Sequence, residues 1–164
     1  MELGTTFSSP SLQDDSYSSR WILTNAYSVQ VRVPYYKRLI LGIEATYFSY
    51  EAKEMEYSNI DAVNYSALLG VNTFKDNKVN FFLGTEIGIQ KTILLSEDFK
   101  SNQIERELYY SLILEPQVLI KRLSIFGSFK YQKVFNFKRQ HILYVGAGIR
   151  FRINLSNKVQ EFIK

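Results

Sequence analysis

Residues 141–154 read HILYVGAGIRFRIN, and from Leu143 to Ile153 every second residue is apolar. Between the apolar positions stand Tyr144, two glycines and two arginines. A period of two predicts a β-strand whose side chains point alternately to opposite sides. One side of this strand is oily and the other carries fixed positive charge, so the two sides need different environments.

The same period of two recurs along the chain and predicts further strands. They span residues 21–33, 39–50, 63–74, 79–90, 108–120, 123–134 and 141–153. A short eighth strand is predicted in the opening residues, where Leu3, Thr5 and Phe7 alternate with Glu2, Gly4 and Thr6. These strands hold about a dozen residues, whereas about five or six are usual in soluble sheets and about 9–11 cross a bilayer.

The connections between these strands alternate in length. Short ones are predicted at 34–38, 75–78 and 121–122, and long ones at 8–20, 51–62, 91–107 and 133–140. Outer-membrane barrels have tight periplasmic turns and longer external loops. The pattern therefore predicts an all-β fold: an eight-stranded antiparallel up-and-down transmembrane β-barrel over residues 1–154, followed by a short tail over 155–164.

The two faces of the predicted strands differ in charge. The oily face carries none, as expected for a surface against hydrocarbon, where a charge at mid-depth costs about 2–4 kcal/mol. The opposite face collects both signs, on Arg32, Glu44, Glu86, Glu115, Lys130, Arg150 and Arg152. Buried charges must be paired, and an eight-stranded barrel is narrow enough for side chains to fill it. We therefore expect a lumenal ion-pair network that plugs the barrel instead of lining an open pore.

Aromatic residues make up 15% of the chain, and their positions fit a membrane interface. One girdle is predicted beside the long connections, formed by Trp21, Tyr47, Tyr65, Tyr110 and Tyr131. The opposite rim is predicted to carry Tyr35, Tyr36, Phe81 and Phe151. Pro116 falls inside the fifth long strand, where a closed barrel offers no edge, so we expect a bulge or a local break in the ladder there.

On these features the chain resembles the small bacterial outer-membrane β-barrel proteins, especially the outer-membrane β-barrel domain family common in Bacteroidota. The last strand, YVGAGIRF at 144–151, is similar to the terminal signal read by the barrel-assembly machinery, through Tyr144, Gly146, Ile149 and Phe151. The resemblance implies a bacterial outer-membrane location. It implies as partners outer-membrane lipid with lipopolysaccharide, the assembly machinery and, for some members, a further envelope protein.

Composition argues against several other classes. No run of apolar residues approaches the length of a transmembrane helix, and residues 1–10 lack the features of a secretory signal. The net charge of +4 comes from scattered residues, which argues against nucleic-acid binding. The absence of cysteine excludes disulfides and thiolate metal sites, and no calcium-loop spacing is found, so no cofactor or metal is expected.

Catalytic residues are scarce. His141 is the only histidine, and HIL at 141–143 does not match the His-x-Ser arrangement of lipid A deacylase barrels. A carboxylate protease would have to use loop acids, namely Asp14, Asp15, Glu54 and Glu56. Five basic residues near the outer rim could contact lipopolysaccharide phosphates: Lys91, Arg106, Lys133, Lys138 and Arg139.

The sequence therefore predicts a structural or interaction protein and not an enzyme: a small membrane anchor or an accessory subunit of an envelope complex. Three alternatives remain open at this point. They are a transport or pore protein, a lipid- or peptide-modifying enzyme, and a soluble lipocalin-like carrier with the two faces reversed.

Overall fold

A computed structural model describes residues 1–13, 18–54, 59–73, 78–94, 103–135 and 140–153, except the side chains of Leu94 and Gln103. The strands are β1 (Glu2–Leu12), β2 (Trp21–Leu23), β3 (Ala26–Tyr36), β4 (Leu39–Ala52), β5 (Ile60–Asn72), β6 (Val79–Leu94), β7 (Gln103–Ile120), β8 (Leu123–Val134) and β9 (Gln140–Arg152). Within these ranges no helix is long and apolar enough to span a membrane. The predicted tail, 155–164, lies outside the described residues.

The strands form a closed ring. From β3 onward each strand pairs antiparallel with the next, and β1 pairs with both β3 and β9. The short β2 pairs with β4 beyond the end of β3, so the two segments together form one of eight walls. The predicted eight-stranded antiparallel up-and-down barrel is confirmed. Each of the eight long strands, β1 and β3 to β9, pairs on both sides, which a β-structure in lipid requires. Only the short β2, at the end with the long connections, pairs with a single strand among those described.

The opening strand is longer than predicted. β1 has 11 residues and pairs with β9 from Glu2↔Arg152 to Leu12↔Ile142. Its second half, SSPSL at 8–12, was predicted to belong to a long connection. Serines occupy both faces of this segment, so apolar and polar residues do not alternate and the sequence pattern did not predict a strand there.

The predicted strand 21–33 is interrupted by a bulge. Along β4 the pairing is Leu23↔Tyr50 before the interruption and Tyr27↔Tyr47 after it, a shift of one residue. Thr24 occupies the gap: its backbone N–H donates to the Ser49 carbonyl at 2.8 Å. A one-residue shift exchanges the two faces of a strand. Leu23 is consequently buried, contrary to the predicted pattern.

Pro116 causes a break in the ladder and no bulge. On the β6 side the pairing runs through Pro116 without interruption. On the β8 side Glu115 and Pro116 lack strand partners, but the register is the same before and after them. Gly127 of β8 lies beside the Pro116 ring, and a Cβ there would be in ordinary contact with the ring at 3.5 Å.

The faces of the barrel have the predicted orientation. Ile43 and Ile87 point outward and are 61% and 67% exposed, whereas Glu86 and Arg150 point inward and are 1% and 2% exposed. A soluble carrier would need the reverse, with aliphatic side chains around an internal cavity. The lipocalin-like alternative is therefore wrong, and the exterior is suited to contact with lipid.

This orientation predicts a strong penalty for charge on the outer wall. Ile43→Arg should lower the free energy of unfolding in lipid vesicles by about 2–4 kcal/mol, the usual effect of arginine at mid-depth. Ile22→Arg is the matched control, because Ile22 lies in β2, beyond the apolar band, and should change stability by only about 0–1 kcal/mol. Urea titration followed by tryptophan fluorescence would measure both, and equal effects would contradict the assignment of faces.

Candidate functional site

The lower half of the lumen, towards the short turns, holds two arginines around one carboxylate. Arg32 makes a bidentate pair with Glu115, with Nη1 2.8 Å from Oε2 and Nη2 2.7 Å from Oε1. Arg150 donates from Nη2 to Oε2 of the same carboxylate at 2.6 Å. β3 and β7 are four walls apart in the ring of eight, so the Arg32–Glu115 pair spans the full diameter of the lumen.

Two phenylalanines flank this Arg32 cluster. The Arg32 guanidinium lies 4.1 Å from the ring centre of Phe82, and that of Arg150 lies 4.0 Å from the ring centre of Phe126. Such contacts are favourable because the ring face is electron-rich, and they strengthen when water is excluded. The Phe82 ring has this space because Gly84 carries no side chain: a Cβ there would lie 2.6 Å from the ring.

The middle of the lumen holds the inverse arrangement, one cation between two carboxylates. Lys130 contacts Glu44 Oε1, and its Nζ lies 3.0 Å from Glu86 Oε2. Thr46 donates a further hydrogen bond to Glu44 at 3.0 Å. β4 and β8 are also four walls apart, so this Lys130 cluster crosses the lumen as well. Together the two clusters hold three cations and three carboxylates.

Uncharged side chains close the upper half, towards the long connections. Gln132 donates to Gln90 at 3.2 Å and accepts from Asn64 at 3.0 Å. Above them the Tyr50 hydroxyl donates to Gln140 at 3.0 Å. A cluster of buried apolar and aromatic residues completes this end: Leu23, Ala26, Phe48, Tyr50, Ala62, Tyr109, Val134, Ile142 and Tyr144.

A polar vestibule opens at the end with the short turns. It has a volume of about 350 Å³, and its lining includes Lys37, Arg38 and Gln117. Gln117 lines the vestibule, and its Oε1 also accepts a hydrogen bond from Arg150 Nη1 at 3.2 Å. It therefore lies between the vestibule and the Arg32 cluster. The vestibule is therefore a recess beneath the filled lumen.

The predicted lumenal residues lie in the two clusters with one exception. Arg152 was predicted in the network, but its side chain is 51% exposed and pairs with Glu2 at 3.3 Å on the short-turn rim. It is the last residue of β9, so it points past the filled part of the barrel. The sequence interpretation did not assign Glu2 to any pair, because its partner depends on the β1–β9 register.

The aromatic girdle differs from the prediction at one position. Tyr47 and Tyr65 are exposed on the outer wall, and Tyr110 and Tyr131 are half-buried there. Trp21 instead packs against the buried apolar and aromatic residues at the end of the lumen with the long connections. It does so because the bulge after β2 turns the outward face of the predicted strand inward. Two residues the prediction omitted, Phe7 and Tyr27, extend the girdle with ring centres 5.2 Å apart.

At the other rim the four predicted aromatic residues are exposed: Tyr35, Tyr36, Phe81 and Phe151.

The remaining candidates do not form a common site in the described part of the chain. His141 is half-buried, and its Nδ1 contacts the Tyr131 hydroxyl. Of the terminal-strand residues, Tyr144 points inward, Gly146 is half-buried, and Ile149 and Phe151 are exposed. Glu54 is exposed, and five other loop candidates lie outside the described residues: Asp14, Asp15, Glu56, Lys138 and Arg139. Within the described ranges no three acidic or histidine side chains are grouped to hold a metal ion.

No protein-family model matches the sequence, and no curated protein matches it. Solved structures do match the fold. Neisserial surface protein A is similar with a TM-score of 0.70 at 10% identity, over 93% of this chain and 96% of that one. Ail of Yersinia pestis, in complex with the heparin analogue sucrose octasulfate, has a TM-score of 0.56 at 16% identity, over 92% and 97%. The outer-membrane enzyme PagL has a TM-score of 0.55 at 9% identity, over 93% and 100%.

The chain has the fold of a small outer-membrane β-barrel. These identities establish the architecture alone, and the fold is shared by a surface protein, an attachment invasion locus protein and an enzyme. The charge-free apolar wall adds an independent argument, because such a surface is stable only against hydrocarbon. Fold and exterior together place the protein in a bacterial outer membrane.

The lumenal charges predict a large difference between two glutamates. Glu115→Ala should lower the free energy of unfolding by about 3–5 kcal/mol, because it leaves two buried arginines without a carboxylate. Glu2→Ala is the matched control: its partner Arg152 is half-exposed, so the loss should be about 0–1 kcal/mol. Urea unfolding in vesicles would compare them, and similar losses would show that the Arg32 cluster is not a buried ion-pair site.

Proposed function

We propose that this chain is a structural or interaction protein of the outer membrane: a closed barrel that anchors exposed connections or docks as an accessory subunit of an envelope complex. The observation that carries the proposal is the filled lumen. Ion pairs cross it along two diameters, and amide and aromatic contacts cross it above them. The narrower assignment to the family common in Bacteroidota is part of this proposal and rests on the architecture and the terminal strand.

The energetics of the lumen favour this reading over a pore. A conducting path would require water and ions to replace contacts such as the bidentate Arg32–Glu115 pair. Separating such a pair leaves an uncompensated charge in a low-dielectric space, which costs several kcal/mol. Since the two clusters lie at different depths, a pathway would have to open both at once.

The length of two strands supports an interaction role. β6 and β7 have 16 and 18 residues, whereas about 9–11 suffice to cross a bilayer. The paired segments around Lys91 and Arg106 therefore extend beyond the apolar band on the side of the long connections. Neisserial surface protein A and the attachment invasion locus protein Ail are similar barrels whose names describe surface or attachment proteins. Strand ends that extend beyond the apolar band are suited to such a role.

Planar-bilayer recordings test the closed lumen. The wild-type protein should give no conductance steps above the lipid background, under conditions in which a general porin conducts. A variant in which Arg32, Glu115 and Arg150 are all alanine should also stay closed, because the Lys130 cluster still crosses the lumen. Stable ohmic steps from the wild-type protein would support the pore alternative and contradict the proposal.

The enzyme alternative has a separate test. The sequence at His141 does not match the His-x-Ser arrangement of lipid A deacylase barrels, and its Nδ1 contacts the Tyr131 hydroxyl. If the barrel is not an enzyme, lipid A extracted from cells that produce the wild-type chain should have the same masses as lipid A from cells with an empty vector. The proposal would be contradicted if the wild-type chain removed acyl chains from lipid A and a folded His141→Asn variant did not.

A further inference from the structure

The outer wall of β6 and β7 carries two cations side by side near its upper end. Lys91 and Arg106 are directly paired across the two strands, and the next outward pair below them is Ile89↔Leu108. Gln90 and Thr92 on either side of Lys91 are buried in the lumen, so Lys91 points outward. The two positive charges therefore interrupt the apolar residues of the outer wall near its upper end, with Ile89↔Leu108 below them and Ile93↔Ile104 above them.

Neither cation has an ion-pair partner among the described residues. Directly opposed side chains have Cβ atoms about 4.5–5.5 Å apart, and like charges at that spacing repel. No carboxylate of a described residue forms an ion pair with Lys91 or Arg106. Asp61, an outward acid further up the wall on β5, accepts a hydrogen bond from the Tyr47 hydroxyl at 3.0 Å. An anion bound between the two cations would relieve the repulsion.

A shallow groove of about 560 Å³ adjoins the cations on the outside of the barrel. Both cations line it, and below them the lining is formed by Tyr65, Ile87, Ile89 and Leu108. Tyr65 belongs to the aromatic girdle, which marks the level of the lipid headgroups. The groove is thus cationic at headgroup height and apolar below it, which is the polarity of a lipid whose phosphate lies above its acyl chains.

We propose that Lys91 and Arg106 bind one phosphate of an outer-leaflet phosphorylated glycolipid of the lipopolysaccharide class, with an acyl chain along Ile87, Ile89 and Leu108. Arginine and lysine are both suited to this ligand, the first through paired N–H donors and the second as a point charge. The outer leaflet is chosen because the long connections lie at this end of the barrel. The site deepens the interaction role but does not depend on the closed lumen.

Native mass spectrometry of the detergent-solubilised full chain tests the site with three lipids: bisphosphorylated lipid A, the same lipid A after removal of its phosphates, and phosphatidylglycerol. The wild-type protein should bind phosphorylated lipid A at least about tenfold more tightly than either of the others, a difference of about 1.4 kcal/mol. Lys91→Gln with Arg106→Gln should abolish that preference, because both donors to the phosphate lose their charge.

The matched control is Lys121→Gln with Arg122→Gln, which removes two adjacent cations from a short turn at the opposite end. This variant should bind phosphorylated lipid A as the wild type does, and circular dichroism should show that both double variants are folded. Equal binding by the Lys91/Arg106 variant and the wild type would overturn the proposal. Equal binding of phosphatidylglycerol would overturn the outer-leaflet assignment. Conductance recordings on the same variants report on the lumen alone, so the two proposals can fail separately.

Discussion

Closure of the backbone hydrogen-bond ring between β1 and β9 is the constraint on which the rest of the molecule depends. Hydrocarbon offers no partner for a backbone N–H or carbonyl, so an open edge within the membrane would be unstable. The eleven paired positions between these strands remove that edge. Once the ring is closed, each strand has one face towards lipid and one towards a narrow interior, and side-chain chemistry must follow that division.

The small size of the ring then explains the charge pattern. In an eight-walled barrel, side chains from opposite walls meet at the axis, as Arg32 and Glu115 do. Each cluster by itself is unbalanced: the Arg32 cluster has two cations and one carboxylate, and the Lys130 cluster has one cation and two carboxylates. The two imbalances have opposite sign and cancel within the lumen. Neutrality is therefore a property of the whole interior, and it couples the two levels electrostatically.

Alternation in the sequence was enough to predict the number of walls, their antiparallel order and which face carries charge, because the period of two is local. It failed where a local signal is missing or misleading. The bulge after β2 inverted the face of Trp21, and the second half of β1, residues 8–12, showed no alternation. The partner of each buried charge was also beyond the sequence. Arg32 and Glu115 are 83 residues apart, and only closure and register decide that they meet.

A filled interior and an apolar wall leave few places where this barrel can act. The lumen is occupied by side chains that neutralise one another, so a solute would have to displace an ion pair to enter it. The middle of the wall is aliphatic, so it can contact an acyl chain but offers no polar group that would select one lipid over another. Recognition is therefore confined to the places where polarity changes, which are the two rims. The vestibule lined by Lys37 and Arg38 lies at one rim, and the pair of Lys91 and Arg106 lies at the other. Both rims are cationic, so anionic headgroups or acidic partners are the ligands that their charge favours.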